Sequence, residues 1–418
     1  MPEFLTPLLI ALAVLALLGV IFEEVTHVNK AKVTLFFGTL AWVLLYVFVD
    51  DPQSREMVSE TFSENLGEIA NLWLFLVATM TFVAYLNKKG MIENLIYLFM
   101  PKEVSEKVLL FLTAVFCFVF SSLADNITAT LVSMTLVLSL KLDAKKTVRF
   151  ATLVIFAVNS GGVALITGDV TTLMIFLAGK IGIADLLSLI APSFIAVMAL
   201  AVMLSFGLKG RVVIEQNRHE VRRVDMIIAA VFLLTIFATI VGNALYQLPP
   251  ALTFLTGLSV MFLISRFYND DEDQILEFIR VIEFETLLFF LGILLLVGML
   301  KEIAVLDMIA LQYTEAPSFI ANYVIGFVSA LVDNVPLTAA LLKSDIDMDA
   351  TAWMGLTYAV GAGGSLLVIG SAAGIVAMSK VKELTFKSHL ASIWLLIPAY
   401  TLGYYLVYLL GNWMHGGL

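Results

Sequence analysis

The sequence predicts an all-α polytopic membrane protein built from two inverted repeats, with about ten spanning helices and two re-entrant hairpins. Three observations predict it: an apolar composition, two apolar runs with polar centres, and a correspondence between the two halves.

Of 418 residues, 61% are hydrophobic and 14% charged, against roughly half and a quarter in ordinary soluble domains. A hydrocarbon core about 30 Å thick takes roughly 20 apolar residues per helical span. Such runs follow one another from Leu5 to His415. Spans are expected at 5–22, 33–49, 69–87, 148–179, 188–208, 226–245, 250–268, 281–300, 350–379 and 390–411. The first has Glu3 and no basic residue ahead of it and no small-residue cleavage pattern after it, so it reads as a retained helix rather than a signal peptide. The net charge of −10 argues against nucleic-acid partners. A lone cysteine, Cys117, excludes an internal disulfide. His27, His219, His389 and His415 fall at or outside span ends, so neither a histidine metal site nor any cofactor is expected.

Two further stretches, 106–140 and 317–343, carry polar centres, SSLADNITAT at Ser121 to Thr130 and SALVDNVPLTAA at Ser329 to Ala340. Lys and Arg collect in cytoplasmic loops, and this decides whether each stretch crosses or folds back. If both fold back and the N-terminus is outside, loops 23–32, 88–107, 141–149, 208–225, 266–280 and 380–389 are cytoplasmic and hold 20 of the 24 basic residues. Only Arg55, Lys180, Lys301 and Lys343 then lie outside, both termini are periplasmic, and no basic residue is expected within the membrane.

The halves repeat. Asp125-Asn126 and Asp333-Asn334 are 208 residues apart, and each precedes a glycine-interrupted run, NSGGVALITGDVTT at 159–172 and GAGGSLLVIGSAAG at 361–374. Gly161, Gly162 and Gly168 correspond to Gly363, Gly364 and Gly370. Each half holds five spans and one hairpin. Five is odd, so the second half is inverted relative to the first, as in many secondary transporters. The expected boundaries are 1–208 for the first repeat, 209–225 for a cytoplasmic linker and 226–418 for the second repeat.

Interrupted backbone at membrane depth is tolerated where protein or a water-filled cavity satisfies it. Two hairpin tips and two broken helices would together enclose one pocket. Into it the sequence places Ser121, Asp125, Asn126, Asn159, Asp169, Thr171, Thr172, Ser329, Asp333 and Asn334, with Ser365 and Ser371 beside them. These are hard oxygen donors, suited to Na+ or another small hard cation, and no Lys, Arg or His is expected among them. A carboxylate that accepts either a proton or Na+ makes the two compete, and competition gives antiport. An Asp after a turn often only caps the next helix; three buried acids, two of them in a duplicated pair, outweigh that reading. The glycines serve close packing or the exposure of carbonyls. Glu68, Glu283 and Glu285 stand at span entrances and are candidates for a proton path.

In SSLADNITATLV, NSGGVALITGDVTT, IEFETLLFFLG, SALVDNVPLTAAL and GAGGSLLVIGSAAG the chain resembles the NhaD-type Na+/H+ antiporters of the ion transporter superfamily, over nearly its whole length. The resemblance implies exchange of Na+ or Li+ for H+ across the inner membrane, pH homeostasis, an elevator mechanism and a homodimer in the lipid bilayer. It maps functional positions onto Ser121, Asp125, Asn126, Asn159, Asp169, Thr171, Thr172, Glu283, Glu285, Ser329, Asp333 and Asn334. The chain departs from the pattern at Asn71 and Ala84, where acids are expected, and at Glu285, where an Asp is expected. Rival readings are an H+-coupled exporter of arsenite or silicic acid and a Na+-coupled dicarboxylate carrier of the same architecture. An intramembrane aspartyl protease, suggested by Gly168-Asp169, leaves the repeat and the paired asparagines without a role.

Overall fold

The computed structural model describes residues 4–49, 51–214, 219–268, 277–280, 282–306, 317–344 and 346–416. Parts of the basic loops 208–225 and 266–280, namely 215–218 and 269–276, lie outside the described residues. Among the described residues, eight helices are long and apolar enough to cross a membrane.

Both polar-centred stretches fold back. The first is Glu106–Leu123 followed by Asn126–Ser139, the second Ser318–Leu331 followed by Asn334–Lys343. Cys117 Sγ lies 3.2 Å from Ser133 Oγ, whereas 16 residues of continuous helix would separate them by about 24 Å. At the open end of this hairpin Lys146 Nζ meets Glu106 Oε1 at 2.7 Å, so the chain returns to the side it left. Asn322, near the start of the second hairpin, donates to Ala352 O at 2.8 Å, beyond that hairpin's end. The two hairpins open on opposite faces. Lys343, at the base of the second, pairs with Glu68, while the first opens beside the segments that follow Lys88. Glu68 and Lys88 share one continuous helix, and 20 residues of helix span about 30 Å.

The two glycine-interrupted runs are each divided into two helices. Residues 148–179 form Ala144–Gly162 and Val170–Leu177, and 350–379 form Ala350–Gly363 and Ala372–Lys380. Aspartates cap the outer ends of the long pieces: Asp143 accepts from Lys146 N at 3.1 Å and Asp349 from Ala352 N at 2.7 Å. The span expected at 69–87 is the end of a 37-residue helix, Pro52–Lys88. Asp51 caps it by accepting from Ser54 N at 2.9 Å, and Pro52 occupies the first turn, where no N–H is needed. A two-stranded antiparallel sheet, Glu103–Ser105 with Arg211–Val213, was not expected; three-residue strands are too short to show a period.

The helices pack as two groups. In one, Lys30–Phe48 runs along Phe284–Glu302 so closely that a Cβ on Gly38 would sit 2.6 Å from Gly292 O, and Trp42 Nε1 donates to Leu295 O at 2.8 Å. Leu5–Ile21, Pro52–Lys88, Arg223–Tyr246 and Pro250–Tyr268 join them, through rings such as Phe75 on Phe254 and Phe82 on Phe232. The other group holds both hairpins, both broken helices, Ile190–Ser205 and Ile393–His415, with Phe118 against Phe194 and Tyr404 OH donating to Phe319 O at 2.6 Å. The hairpins and the breaks face the first group.

Candidate functional site

Four helices begin at one small cavity of about 70 Å³. Its lining includes the first-turn residues Asn126, Val170, Val335 and Ala372, the three aspartates Asp125, Asp169 and Asp333, and, from the other group, Leu76, Met80 and Phe289. Each helix start exposes unpaired backbone N–H groups, and the sequence supplies an oxygen at every one. Asp125 accepts from Thr128 N at 2.9 Å and from Thr128 Oγ1 at 2.7 Å. Asp169 accepts from Thr171 N at 3.1 Å and from Asn334 Nδ2 at 3.3 Å. Asp333 accepts from Val335 N at 3.2 Å. Ser371 Oγ accepts from Gly374 N at 3.3 Å and from Asn159 Nδ2 at 2.8 Å. The aspartates that cap three of these helices are therefore the same ones that line the cavity.

The remaining predicted residues support the tips. Ser121 Oγ donates to Val158 O at 2.7 Å and lies 3.0 Å from Asn126 Oδ1; at the equivalent place Ser329 Oγ donates to Val360 O at 2.7 Å. Both serines thus tie a hairpin arm to the broken helix beside it. Buried Asn159 Oδ1 and Thr172 Oγ1 have no hydrogen-bond partner, nor has Ser160 Oγ, which sequence reasoning did not single out. Thr171 is fully buried behind Asp169.

The glycines serve close approach. A Cβ on Gly162 would stand 2.6 Å from Asn126 Oδ1 and one on Gly168 2.6 Å from Ser121 O, so a side chain at either would drive the first tip out of place. Gly161 faces Phe118 O and Gly363 faces Gly326 O in the same manner, Gly364 abuts Gly370, and Gly370 lies against Ala330 Cα.

One expectation needs correction. The pocket is not free of basic groups: Lys30 Nζ lies 2.7 Å from Asp333 Oδ2 and 4.5 Å from the Phe289 ring centre. Asn29 caps the helix at Ala31 N, 2.9 Å away, which makes Lys30 the first residue of Lys30–Phe48 rather than part of loop 23–32. Its flexible stem does the rest. The signal was present in the sequence, as a helix cap followed directly by Lys at the edge of an apolar run. Glu68, expected at a span entrance, pairs with Lys343 at the far end of the arm Asn334–Lys343 and lines a separate cavity of about 510 Å³ with Glu64, Lys180 and Lys301. Glu285 accepts from Asn29 Nδ2 at 2.7 Å, next to Lys30. Glu283 lies within electrostatic reach of Asp125. A third cavity, of about 400 Å³, adjoins the pocket through Lys30 and is lined by Glu23, His27 and Asn29.

The CitMHS family, described as citrate transporters, matches residues 3–354. The Na+/H+ antiporter NhaD of Alkalimonas amylolytica is 30% identical over 98% of this chain and 90% of its own length, and that of Vibrio parahaemolyticus 30% over 90% and 98%. The chain belongs to the CitMHS family and to the NhaD-type antiporters. NhaD of Halomonas elongata is 29% identical over 92% of this chain and 83% of its own length. Among solved structures, the YdaH transporter of Alcanivorax borkumensis has a TM-score of 0.56 at 15% identity, covering 93% of this chain and 99% of that one. At that identity the likeness is one of fold.

Proposed function

We propose that this protein exchanges Na+ or Li+ for H+, and that Asp125, Asp169 and Asp333 hold whichever cation is bound. One observation carries the reading: every acid in the pocket is the cap of a helix start. A helix N-terminus bears roughly half a positive charge and ordinarily attracts a free anion. Here three of the four carry their anion as a side chain. The exchangeable partner of such a site is positive, and hard oxygens with unpartnered Asn159 Oδ1 and Thr172 Oγ1 nearby suit Na+. Relatives at about 30% identity over most of the chain, named as Na+/H+ antiporters, support the same reading.

A carboxylate holding Na+ must first release its proton, so one site serves both ions in turn. Citrate, the cargo in the family's description, would have to displace side chains that are covalently fixed, with Lys30 as the one cationic side chain among the described residues that line the pocket. The experiment is an imposed pH gradient across proteoliposomes, challenged in turn with Na+, Li+, citrate and arsenite. Na+ and Li+ are expected to collapse the gradient. Collapse by citrate or arsenite and not by Na+ overturns the proposal.

Movement of the hairpin group against the other, as an elevator, is supported by a pocket lying between the two groups. We assign 1–208 and 226–418 to inverted repeats on the correspondence of hairpins, breaks and serine contacts. The basic loops are placed in the cytoplasm, both termini in the periplasm, and the active form is taken as a homodimer on the resemblance.

A further inference from the structure

The geometry points to Lys30 as a tethered cation that occupies Asp333 when Na+ does not, and that Na+ must displace in order to bind. This rests on the reading that Asp333 belongs to the Na+ site. Lys30 and Asp333 belong to different packing groups. Lys30 opens a helix fixed along Phe284–Glu302, whereas Asp333 is the tip of the second hairpin. The ammonium sits 2.7 Å from Asp333 Oδ2 with the Asp333 side chain 7% exposed, so it takes up a ligand position that a bound Na+ would need.

The surroundings hold Lys30 in place, and among the described residues Asp333 is the acid its ammonium pairs with. Its backbone N–H donates to Glu23 Oε1 at 2.9 Å, Asn29 beside it bonds Glu285, and the Phe289 ring lies under the ammonium. Asp125 and Asp169 line the same cavity but accept from Thr128 and from Thr171 and Asn334. Asp333 is the acid of the three whose second oxygen is held by a charge. The arm that follows it is joined to the other group at both ends, by Lys30 at Asp333 and by Glu68 at Lys343. Displacement of the ammonium by Na+ therefore frees the tip end of the arm. Occupied by Na+, Asp333 no longer binds the hairpin to Lys30; empty, it is neutralised in place and the hairpin is held. This links ion occupancy to the freedom of the hairpin group with no further component.

Competition has a sign that a purely structural role lacks. Removing the tethered cation should tighten Na+ binding, and a stronger one should weaken it. Isothermal titration of Na+ into purified full-length protein at one fixed alkaline pH compares wild type, Lys30→Met, Lys30→Arg and Asp333→Asn. Lys30→Met should lower the Na+ dissociation constant about tenfold, the effect of relieving one modest competitor. Lys30→Arg, with a planar fork suited to a carboxylate, should leave it unchanged or raise it, and Asp333→Asn should lose binding. Lys30→Gln carries the first comparison if Lys30→Met does not survive purification. Unchanged or weaker binding in the Met or Gln variant, with binding lost in Asp333→Asn, overturns the tethered-cation role and leaves the site reading intact. Absence of Na+ binding in wild type, or full binding in Asp333→Asn, overturns the site reading and this inference with it.

Discussion

Neutralising a capping aspartate separates its two jobs, because six aspartates among the described residues cap helix starts, Asp51 at Pro52–Lys88 included, and three of them line the pocket. Asp125, Asp169 and Asp333 cap at the cavity. Asp143 and Asp349 cap the outer ends of the two broken helices with bonds of 3.1 and 2.7 Å. Asparagine caps about as well as aspartate, whereas alanine costs about 1 kcal/mol. Asp→Asn at Asp125, Asp143, Asp169 or Asp349 should therefore shift unfolding in detergent by less than about 0.5 kcal/mol on the capping account, whereas Asp333→Asn also leaves the Lys30 ammonium without its partner and costs more. Asp143 also pairs with Lys146 Nζ at 3.1 Å, but at 58% exposure of the Asp143 side chain that pair adds less than about 1 kcal/mol. Exchange should divide the set sharply. Asp125→Asn and Asp333→Asn should fall to the level of empty vesicles in a Na+-driven proton efflux assay, since asparagine releases no proton, while Asp143→Asn and Asp349→Asn should keep more than about half the wild-type rate, as surface substitutions do. Equal losses in the two classes, or full exchange in Asp125→Asn and Asp333→Asn, would refute the assignment of ion exchange to the pocket acids.

Na+ affinity should fall as pH drops, about tenfold per pH unit for each proton displaced while the site is protonated, and level off once it is ionised. Calorimetric titration across neutral to alkaline pH in buffers of different ionisation enthalpy reads both the slope and the protons released, and a flat profile with no release contradicts competition. Ser133→Cys should form a disulfide with native Cys117 under mild oxidation, because the two side-chain termini are 3.2 Å apart; a mass unchanged after oxidation of folded protein speaks against the hairpin. Gly168→Val should cost about 1 to 3 kcal/mol through overpacking, given a Cβ position 2.6 Å from Ser121 O. Gly67→Ala, on the exposed part of Pro52–Lys88 with nothing within 4 Å of the new Cβ, should stabilise by up to about 1 kcal/mol. Thermal melts in detergent check both, and a Gly168→Val variant as stable as wild type would mean that the first break packs otherwise.

Much of the site was legible because polar residues inside apolar runs have so few reasons to be there. Ser121, Asp125 and Asn126 stand where an uninterrupted helix would present apolar side chains, and Gly161, Gly162 and Gly168 mark the break into which Asn126 fits. Lys30 escaped because counting basic residues by loop assigns a boundary residue to the loop, whereas its reach into the pocket depends on how Lys30–Phe48 meets the second hairpin. Glu68 is the reverse case. An acid at a span entrance is equally close in sequence to either end of the hairpin arm, and the fold brings it to Lys343. Residues 52–68 are polar and read as loop, though Asp51 and Pro52 carry the signature of a capped helix start.

The serine contacts at the tips also bear on how the chain enters the bilayer. Ser121 Oγ is satisfied by Val158 O, Thr167 Oγ1 by Ser122 O at 2.7 Å, and Ser329 Oγ by Val360 O. In each case the donor and the acceptor belong to segments inserted at different times, a hairpin and the broken helix that follows it. Lipid offers neither of them a substitute, and an unsatisfied group there costs several kcal/mol. A chain ending at Ser139 has Asn126 Oδ1 within 3.0 Å of Ser121 Oγ but lacks Val158 O, which comes with Ala144–Gly162. Each hairpin is thus tied to the broken helix that follows it, and the partner that satisfies its tip lies in a segment made later.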